Sequence, residues 1–476
     1  MEKFYDDLKK TFQSDIIYKP IKITNRYLHL YYLESLCSSD KINLYILRNI
    51  TKIKNLNKIE EYLSTPNVKK IKESEILFYL ENGFALINHK KSWWAAEVRA
   101  EINRGISAPD SEPSINGPKD AFSENYQINI GLIKRRIKSQ NLTIKNKIIG
   151  KKTKTNIGIL FLNDIVDYKT LDILEKRIDK IDIDGILDSS TLALILEKDD
   201  NTTFPTIIKS ERPDTISQAL LEGKIAIVVD TSPFVLVLPA FFADFINPQS
   251  DNYSKSNNIN FVKVLRLACF FISIMLPAFY IAVINYNQEA IPTSLLINFS
   301  AQRSGVPFPG VVEAVVMLII CEILRESDLR FPNAYGSAIS ILGALILGEA
   351  AVSAGIVSPI MIIVTAISFI TSLIFTEYEL INALRHYRFV FLLLASTYGI
   401  IGLISGVIYF LIRINSINSF EKSYFFPIAP FSKIYFNKTI FKNKVSKDIY
   451  RSSLIAKNNL IKYKEHDWWK KYYSYL

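Results

Sequence analysis

The sequence predicts an α/β cytoplasmic region of two similar lobes, followed by an α-helical domain that spans a membrane several times. Three observations carry this. Short β-rich runs alternate with charged helical stretches up to about residue 257. Lysine is abundant on both sides of one window, yet none occurs between Lys263 and Lys422. Long uncharged runs fill that window, so the mean hydropathy reaches +0.15 although 22% of the 476 residues are charged. A purely soluble enzyme and a disordered tail protein are both excluded by this split.

The first lobe and a linker are expected over residues 1–120. The N-terminus has no apolar h-region, which predicts no cleaved signal peptide and a cytoplasmic first region. Tyr27–Leu33 reads as a strand, with an amphipathic helix from Lys41. Ile76–Ile87 reads as a helix end, a glycine turn and a second strand. The same grammar returns in the strand Ile157–Leu162, a helix from Asp167 through Arg177, and the closing element Ala219–Val229. Both closing elements carry Leu-Glu, then glycine at once or one residue later. Between the lobes, Ile106–Asp120 is dense in turn formers and reads as an irregular linker. The second lobe, 121–257, opens with a basic amphipathic helix from about Ala121 to Ser139. Its Lys134, Arg135 and Arg136 are candidates for docking a partner or lipid headgroups, against the plainer reading of a solvated face. No nucleic-acid platform accompanies that charge, so nucleic acid is not expected as a partner.

The membrane domain is expected over 258–413, with four spans. Val264–Ile284 has 21 residues and one charge, Arg266; Phe389–Ile412 has 24 and none. Phe331–Thr376 carries only Glu349 and is long enough for two spans, with Gly355 and Pro359 at their turn. Val311–Leu324 is shorter and holds Glu313 and Glu322, which predicts a re-entrant or interfacial helix. The tail, 414–476, has thirteen Lys/Arg from Arg413 onward against four carboxylates, which places it in the cytoplasm by the positive-inside rule. Arg385 and Arg388 conflict with this count, because four spans put them outside.

No nucleophile elbow, phosphate-binding loop, dinucleotide fingerprint or zinc-protease motif is present, so no enzyme is expected. Cys37, Cys269, Cys321 and four scattered histidines give no metal spacing, and no cofactor or metal is expected. The notable chemistry is polarity inside the apolar window. A charged group at the centre of a lone membrane helix costs roughly 2.5–3.5 kcal/mol, so Glu349 must face protein or water. Ser353 and Ser358 follow it, and Thr365, Ser368 and Ser372 share a helical face. Glu349, Ser353, Ser358, Thr365 and Ser368 are therefore the pore-lining candidates. The alternative is that the hydroxyls bond their own or a neighbouring helix.

Ordered motifs run from about residue 93 to 431. They include Glu112-Pro113, Gly117-Pro118, Leu132–Ile137, Ile181–Leu187, Glu211-Arg-Pro213, Leu220–Gly223, Leu276–Tyr280, Ala301–Pro309, Glu322–Glu326 and Leu347–Pro359. Together they resemble the A subunit of spore germinant receptors, the GerA family. The resemblance implies a cytoplasmic α/β region, a multispanning membrane region and a place in the inner membrane of the dormant spore. It further implies a transporter-like B subunit and a lipoprotein C subunit as partners, and A subunits that oligomerise into a ligand-gated ion channel. An accessory family member, supporting ion or dipicolinate release without sensing nutrients, is the alternative. The sequence departs from the family pattern at Ala121, Leu318, Glu349, Ser353 and Ser419–Tyr424, which suggests altered gating or partners.

Overall fold

Strand pairing divides the first half of the chain into two sheets with one and the same order. In the computed structural model, residues 15–23, 26–50, 67–90, 92–99, 111–114, 116–197, 202–330, 348–442 and 450–462 are described, with a few isolated residues between them. The first sheet holds β1 (Ile16–Ile23), β2 (Arg26–Leu33), β3 (Val68–Ile71), β4 (Phe84–His89) and β5 (Ser92–Glu97), in the order β1-β2-β4-β5-β3. The second holds β6 (Leu142–Ile149), β7 (Thr155–Leu162), β8 (Ile208–Ser210), β9 (Ile225–Val229) and β10 (Val235–Leu238), in the order β6-β7-β9-β10-β8. Every ladder is antiparallel, with Leu30 opposite Ile87 in one sheet and Ile159 opposite Ile227 in the other. The two expected lobes are present.

Helices repeat in step with the strands. A helical run over 39–50 (α1) follows β2, as Tyr168–Asp179 (α4) follows β7; Ile76–Glu81 (α2) precedes β4, as Pro213–Leu221 (α6) precedes β9. The repeated Leu-Glu-Gly signal now has a cause. Gly83 and Gly223 end α2 and α6 at φ +76° and +96°, a region that side chains with a Cβ rarely adopt.

Tyr126–Arg136 (α3), α2 and α6 lie between the sheets and bury Tyr31, Trp93, Leu132, Leu160, Ile216 and Val228 in one core. The outer faces are covered by α1 on the first sheet and by α4 with Ser189–Leu196 (α5) on the second. The linker is fixed by Glu211-Arg-Pro213. Glu211 Oε1 accepts from Ser111 N at 2.6 Å and Glu112 N at 3.1 Å. Arg212 donates to the Glu112 carbonyl and grips Asp214 with two nitrogens, at 3.1 and 2.7 Å.

The second half is a helical block made of Ser256–Tyr286 (α7), Thr293–Arg303 (α8), Gly310–Arg330 (α9), Pro359–Ser372 (α10) and Tyr378–Ser416 (α11), followed by Lys433–Ile440 (α12). Two findings revise the expected spans. First, α9 is longer than the stretch Val311–Leu324 expected as a re-entrant or interfacial helix: it has 21 residues and packs along α10 and α7. Second, α11 is not one straight span. At Gly399 the backbone leaves the helix, with φ 60° and ψ −136°. In a straight helix Tyr387 and Phe410 would stand about 35 Å apart, yet their rings lie 5.0 Å apart. A methyl group on Gly406 would sit 3.1 Å from the Phe391 ring. The chain therefore doubles back at Gly399 into an antiparallel helical hairpin. The first half of the segment expected as two spans, 331–347, lies outside the described residues; Gly355 turns at φ +66° and Pro359 opens α10, as expected.

The basic tail also differs from a free arm. It folds back over the second lobe: Lys422 bonds Asp167 at 2.8 Å, Arg451 Nε donates to the Leu221 carbonyl at 2.7 Å, and Ala456 joins the inter-sheet core. Lys462 pairs with Glu222.

A buried polar interior in the helical block

The direction of each helix follows from its contacts. Near the start of α7, Arg266 bonds Asp251 at 2.9 Å and the Ile246 carbonyl at 2.7 Å, which holds that end against the second lobe. At its far end, Tyr286 donates to the carbonyls of Ser396 (2.6 Å) and Thr397 (3.1 Å) at the hairpin tip. Helices α9 and α10 run back toward the lobes, since Glu313 and Ser358 meet at the far end while Glu322 and Ser368 lie level with Ser273. The turn 373–377 is thus on the lobe side, where Lys209 reaches Glu379 at 3.5 Å. Arg385 follows that turn in the chain.

Half-way along the block, Pro277 has no N–H to give the carbonyl of Ser273 four residues earlier. That carbonyl accepts instead from Ser368 Oγ and from Arg388 Nε, each at 2.8 Å. Arg388 is 2% exposed; it also donates to the Ser368 carbonyl at 3.2 Å and lies 3.9 Å from Glu322. Glu322 is shared with Arg325 and, at 3.5 Å, with Arg385. One guanidinium thereby ties α7, α9, α10 and the hairpin together. A buried charge of this kind is tolerated only with such partners.

A second cluster sits at the far end. The Glu313 side chain is fully buried, and its Oε2 accepts from both Ser358 N and Ser358 Oγ at 2.8 Å. Ser358 is the N-cap of α10, so the carboxylate faces the positive end of that helix. Arg303, from the last turn of α8, approaches the other oxygen to 3.7 Å.

The five pore-lining candidates are not brought together. Ser358, Thr365 and Ser368 are fully buried: Ser358 is bonded to Glu313, Thr365 to the Met361 carbonyl of its own helix at 2.8 Å, and Ser368 to Ser273. Glu349 and Ser353 are exposed on one helical stretch beside the Gly355 turn. Of the docking candidates, Lys134 is buried on Asp15, which also accepts from Ser35 N and Oγ. Arg136 Nη2 donates to both carboxylate oxygens of Asp120, each at 2.6 Å. Only Arg135 is exposed. Glu313, Glu322 and Arg388 were visible in the sequence only as charges that fitted the span count badly.

Head and block meet at an aromatic joint. Phe204 stacks on Tyr387 at 5.5 Å and meets Phe242 and Phe410 edge-on at 6.2 and 6.0 Å. Beside it lies a cavity of about 350 Å³ among the linker, the second lobe, the turn 373–377 and the tail, lined by Glu112, Arg212, Lys224, Glu377 and Tyr435. Burial pushes the Glu112 carboxyl up to about 7, although Ser210 donates to it, and burial together with Glu112 pushes Glu377 to about 8.

Two α/β lobes on an apolar helical block with buried charges define a bipartite protein, a soluble-type head on a block with membrane character. By length and composition α7 is apolar enough to cross a membrane, and so is α11 when its 39 residues are counted as one helix, although the chain folds back within it at Gly399. The chain belongs to the Bacillus/Clostridium GerA spore germination protein family, whose model matches residues 2–454. It is 37% identical over 463 residues to spore germination protein KA of Bacillus subtilis, covering 94% of this chain and 85% of that one. It is also 37% identical over 336 residues to the uncharacterized membrane protein YfkQ of the same organism, covering 71% of this chain and 66% of that one. A crystal structure of the N-terminal domain of the A subunit of the Bacillus megaterium spore germinant receptor GerK3 aligns at 26% identity. That alignment covers 52% of this chain and 96% of the other, with a TM-score of 0.38.

Proposed function

We propose that the chain is the A-type membrane subunit of a nutrient-responsive spore germination receptor, and that copies of it assemble into a gated cation pathway in the inner spore membrane. The observation that supports this most is the burial of Glu313, Glu322 and Arg388 inside a block whose outer face presents Phe271, Phe279, Ile363, Leu393 and Ile401. A simple anchor has no use for buried charges, whereas an element that handles ions does. Head and tail lie on one side of the block, which fits a multi-pass protein with both in the cytoplasm. A transporter-like B subunit and a lipoprotein C subunit are the partners in this reading, and it requires no catalysis.

In this reading Glu349 and Ser353, which are exposed within one chain, line a pathway between copies. Glu349→Gln is expected to preserve assembly and to lower cation release on triggering, and Glu349→Lys to lower it further, since acidic rings attract cations. Potassium efflux from triggered spores, with protein levels checked, measures this. Unchanged flux in the lysine variant would remove Glu349 from the pathway. The accessory reading is supported by the departures at Glu349 and Ser353; in that case deletion would slow ion or dipicolinate release without changing which nutrients act.

A further inference from the structure

The far-end cluster holds a buried oxygen with no donor. Among the described residues Glu313 Oε1 has no hydrogen-bond partner, and the Tyr280 hydroxyl is buried near it, next to Ser358. Among the described residues, the charge that faces Glu313 Oε1 is Arg303 Nε, at 3.7 Å a charge contact and not a hydrogen bond. Arg303 comes from α8, a helix none of whose residues is buried. A cleft of about 230 Å³, lined by Ile284, Gln288, Phe299, Ser300 and Arg303, opens at this guanidinium. Gly310 leaves the room that Arg303 occupies, because a side chain there would meet Nη2 at 3.0 Å.

We propose that Glu313 and Tyr280 form a binding site for a monovalent alkali cation, occupied at rest by the chain's own Arg303. A carboxylate oxygen, a phenolic oxygen and water from the cleft are the hard oxygen ligands such an ion takes. Ser358 and the start of α10 already hold the other carboxylate oxygen, so Glu313 stays in place when Arg303 withdraws. The weakly held α8 is the part that moves. A free cation and the tethered guanidinium then compete for one carboxylate, which makes Arg303 an internal blocking ion. The inference rests on the cation-pathway reading for its purpose, but its test needs no flux.

The full-length chain in detergent is melted in potassium chloride and in N-methylglucamine chloride at equal ionic strength. A ligand that binds only the folded state stabilises it by mass action. Arg303→Gln is expected to melt about 2 °C or more higher in potassium, the wild type to show a smaller difference, and Arg303→Gln/Glu313→Gln none. Equal melting of Arg303→Gln in the two salts, or a potassium response kept by the double variant, would overturn the proposal. Should Arg303→Gln not fold, Ser300→Cys in the wild-type background reports on the same cleft. Its modification by an impermeant thiol reagent, corrected for the unsubstituted chain, is expected to speed up severalfold as potassium replaces N-methylglucamine. A rate independent of potassium sinks the site. Potassium binding without efflux from spores would leave the site standing and count against the cation pathway.

Discussion

Pro277 and Arg388 are coupled through a single oxygen: the donor that the proline lacks is supplied to the Ser273 carbonyl by the guanidinium, 115 residues further along the chain, at 2.8 Å. Ser368 Oγ shares that oxygen at the same distance. A helix interruption on α7 is thus the acceptor that gathers the hairpin and α10.

Removing the guanidinium should be costly. Arg388→Met strips Glu322 of one of its buried partners and leaves the Ser273 carbonyl with Ser368 alone. Breaking a buried pair costs about 3–5 kcal/mol, and Arg325 and Arg385 offset part of this, so a loss of about 2–3 kcal/mol is expected. Pro277→Ala restores a backbone donor and should change stability by less than about 1 kcal/mol. Thermal melts in detergent compare the two; a larger loss for the proline variant would break the proposed coupling.

At the hairpin tip, Gly399→Ala is expected to be worse than Tyr286→Phe. The alanine must adopt φ 60°, ψ −136°, and its Cβ would meet the Tyr286 ring at 2.7 Å. Such backbone strain alone costs about 1–3 kcal/mol. The phenylalanine loses only the hydroxyl bonds to Ser396 and Thr397, about 1 kcal/mol. Cross-linking of cysteines placed at Tyr387 and Phe410 tests the hairpin directly, since a straight helix could not form that bond.

The junction should weaken as the pH rises. Glu112 and Glu377 titrate at about 7 and about 8 when folded, against an ordinary value of 4.5. A carboxyl with a raised folded pKa stabilises fully below its ordinary value and loses that contribution as the pH climbs through the raised one. Glu211, Asp214 and Glu379 add negative charge around them, and Arg212 and Lys209 oppose it. Glu112→Gln/Glu377→Gln should therefore melt like the parent near pH 4.5 and above it near pH 8. A parent whose melting temperature is flat between those values would contradict this.

In the head, reversing single charges separates burial from exposure. Lys134→Glu sets a second carboxylate against Asp15 between the lobes, and the head should lose several kcal/mol. Arg135→Glu, on the exposed side of the same helix, should change stability by less than about 0.5 kcal/mol. If binding to anionic vesicles falls in Arg135→Glu while stability holds, the exposed side of α3 serves in docking after all.

Much of the head could be read from residue order, because its signals are local. A β-rich run such as Ile157–Leu162, a helix start at Asp167 and a glycine after Leu-Glu each act within a few residues, and their recurrence exposed the duplication. The strands β1 and β6 are not among the expected elements, since lysines interrupt their apolar runs. The block was less legible. An apolar run from Phe389 to Ile412 looks the same whether it crosses once or turns at Gly399; the choice is made by the Tyr286 ring, more than a hundred residues away. Glu313 and Glu322 looked like obstacles to burial because their compensation is remote. Ser358, Arg303 and Arg388 reach them only after the helices pack. The polar face of Thr365 and Ser368 followed from spacing, but spacing could not say that it faces inward.

The tail has a mechanical meaning. The head is joined to the block covalently at the start of α7 and again after Ser416, where the chain runs back beneath Lys422 and Arg451 onto the second lobe. Between these two tethers Phe204, Phe242 and Phe245 share one buried cluster with Phe270, Tyr387 and Phe410, so the seam is closed along its length as well as stitched at both ends. A load on the lobes is therefore met by the feet of α7 and of the hairpin together. Cutting the chain between Ser416 and Lys422 would undo one stitch and leave the aromatic joint in place.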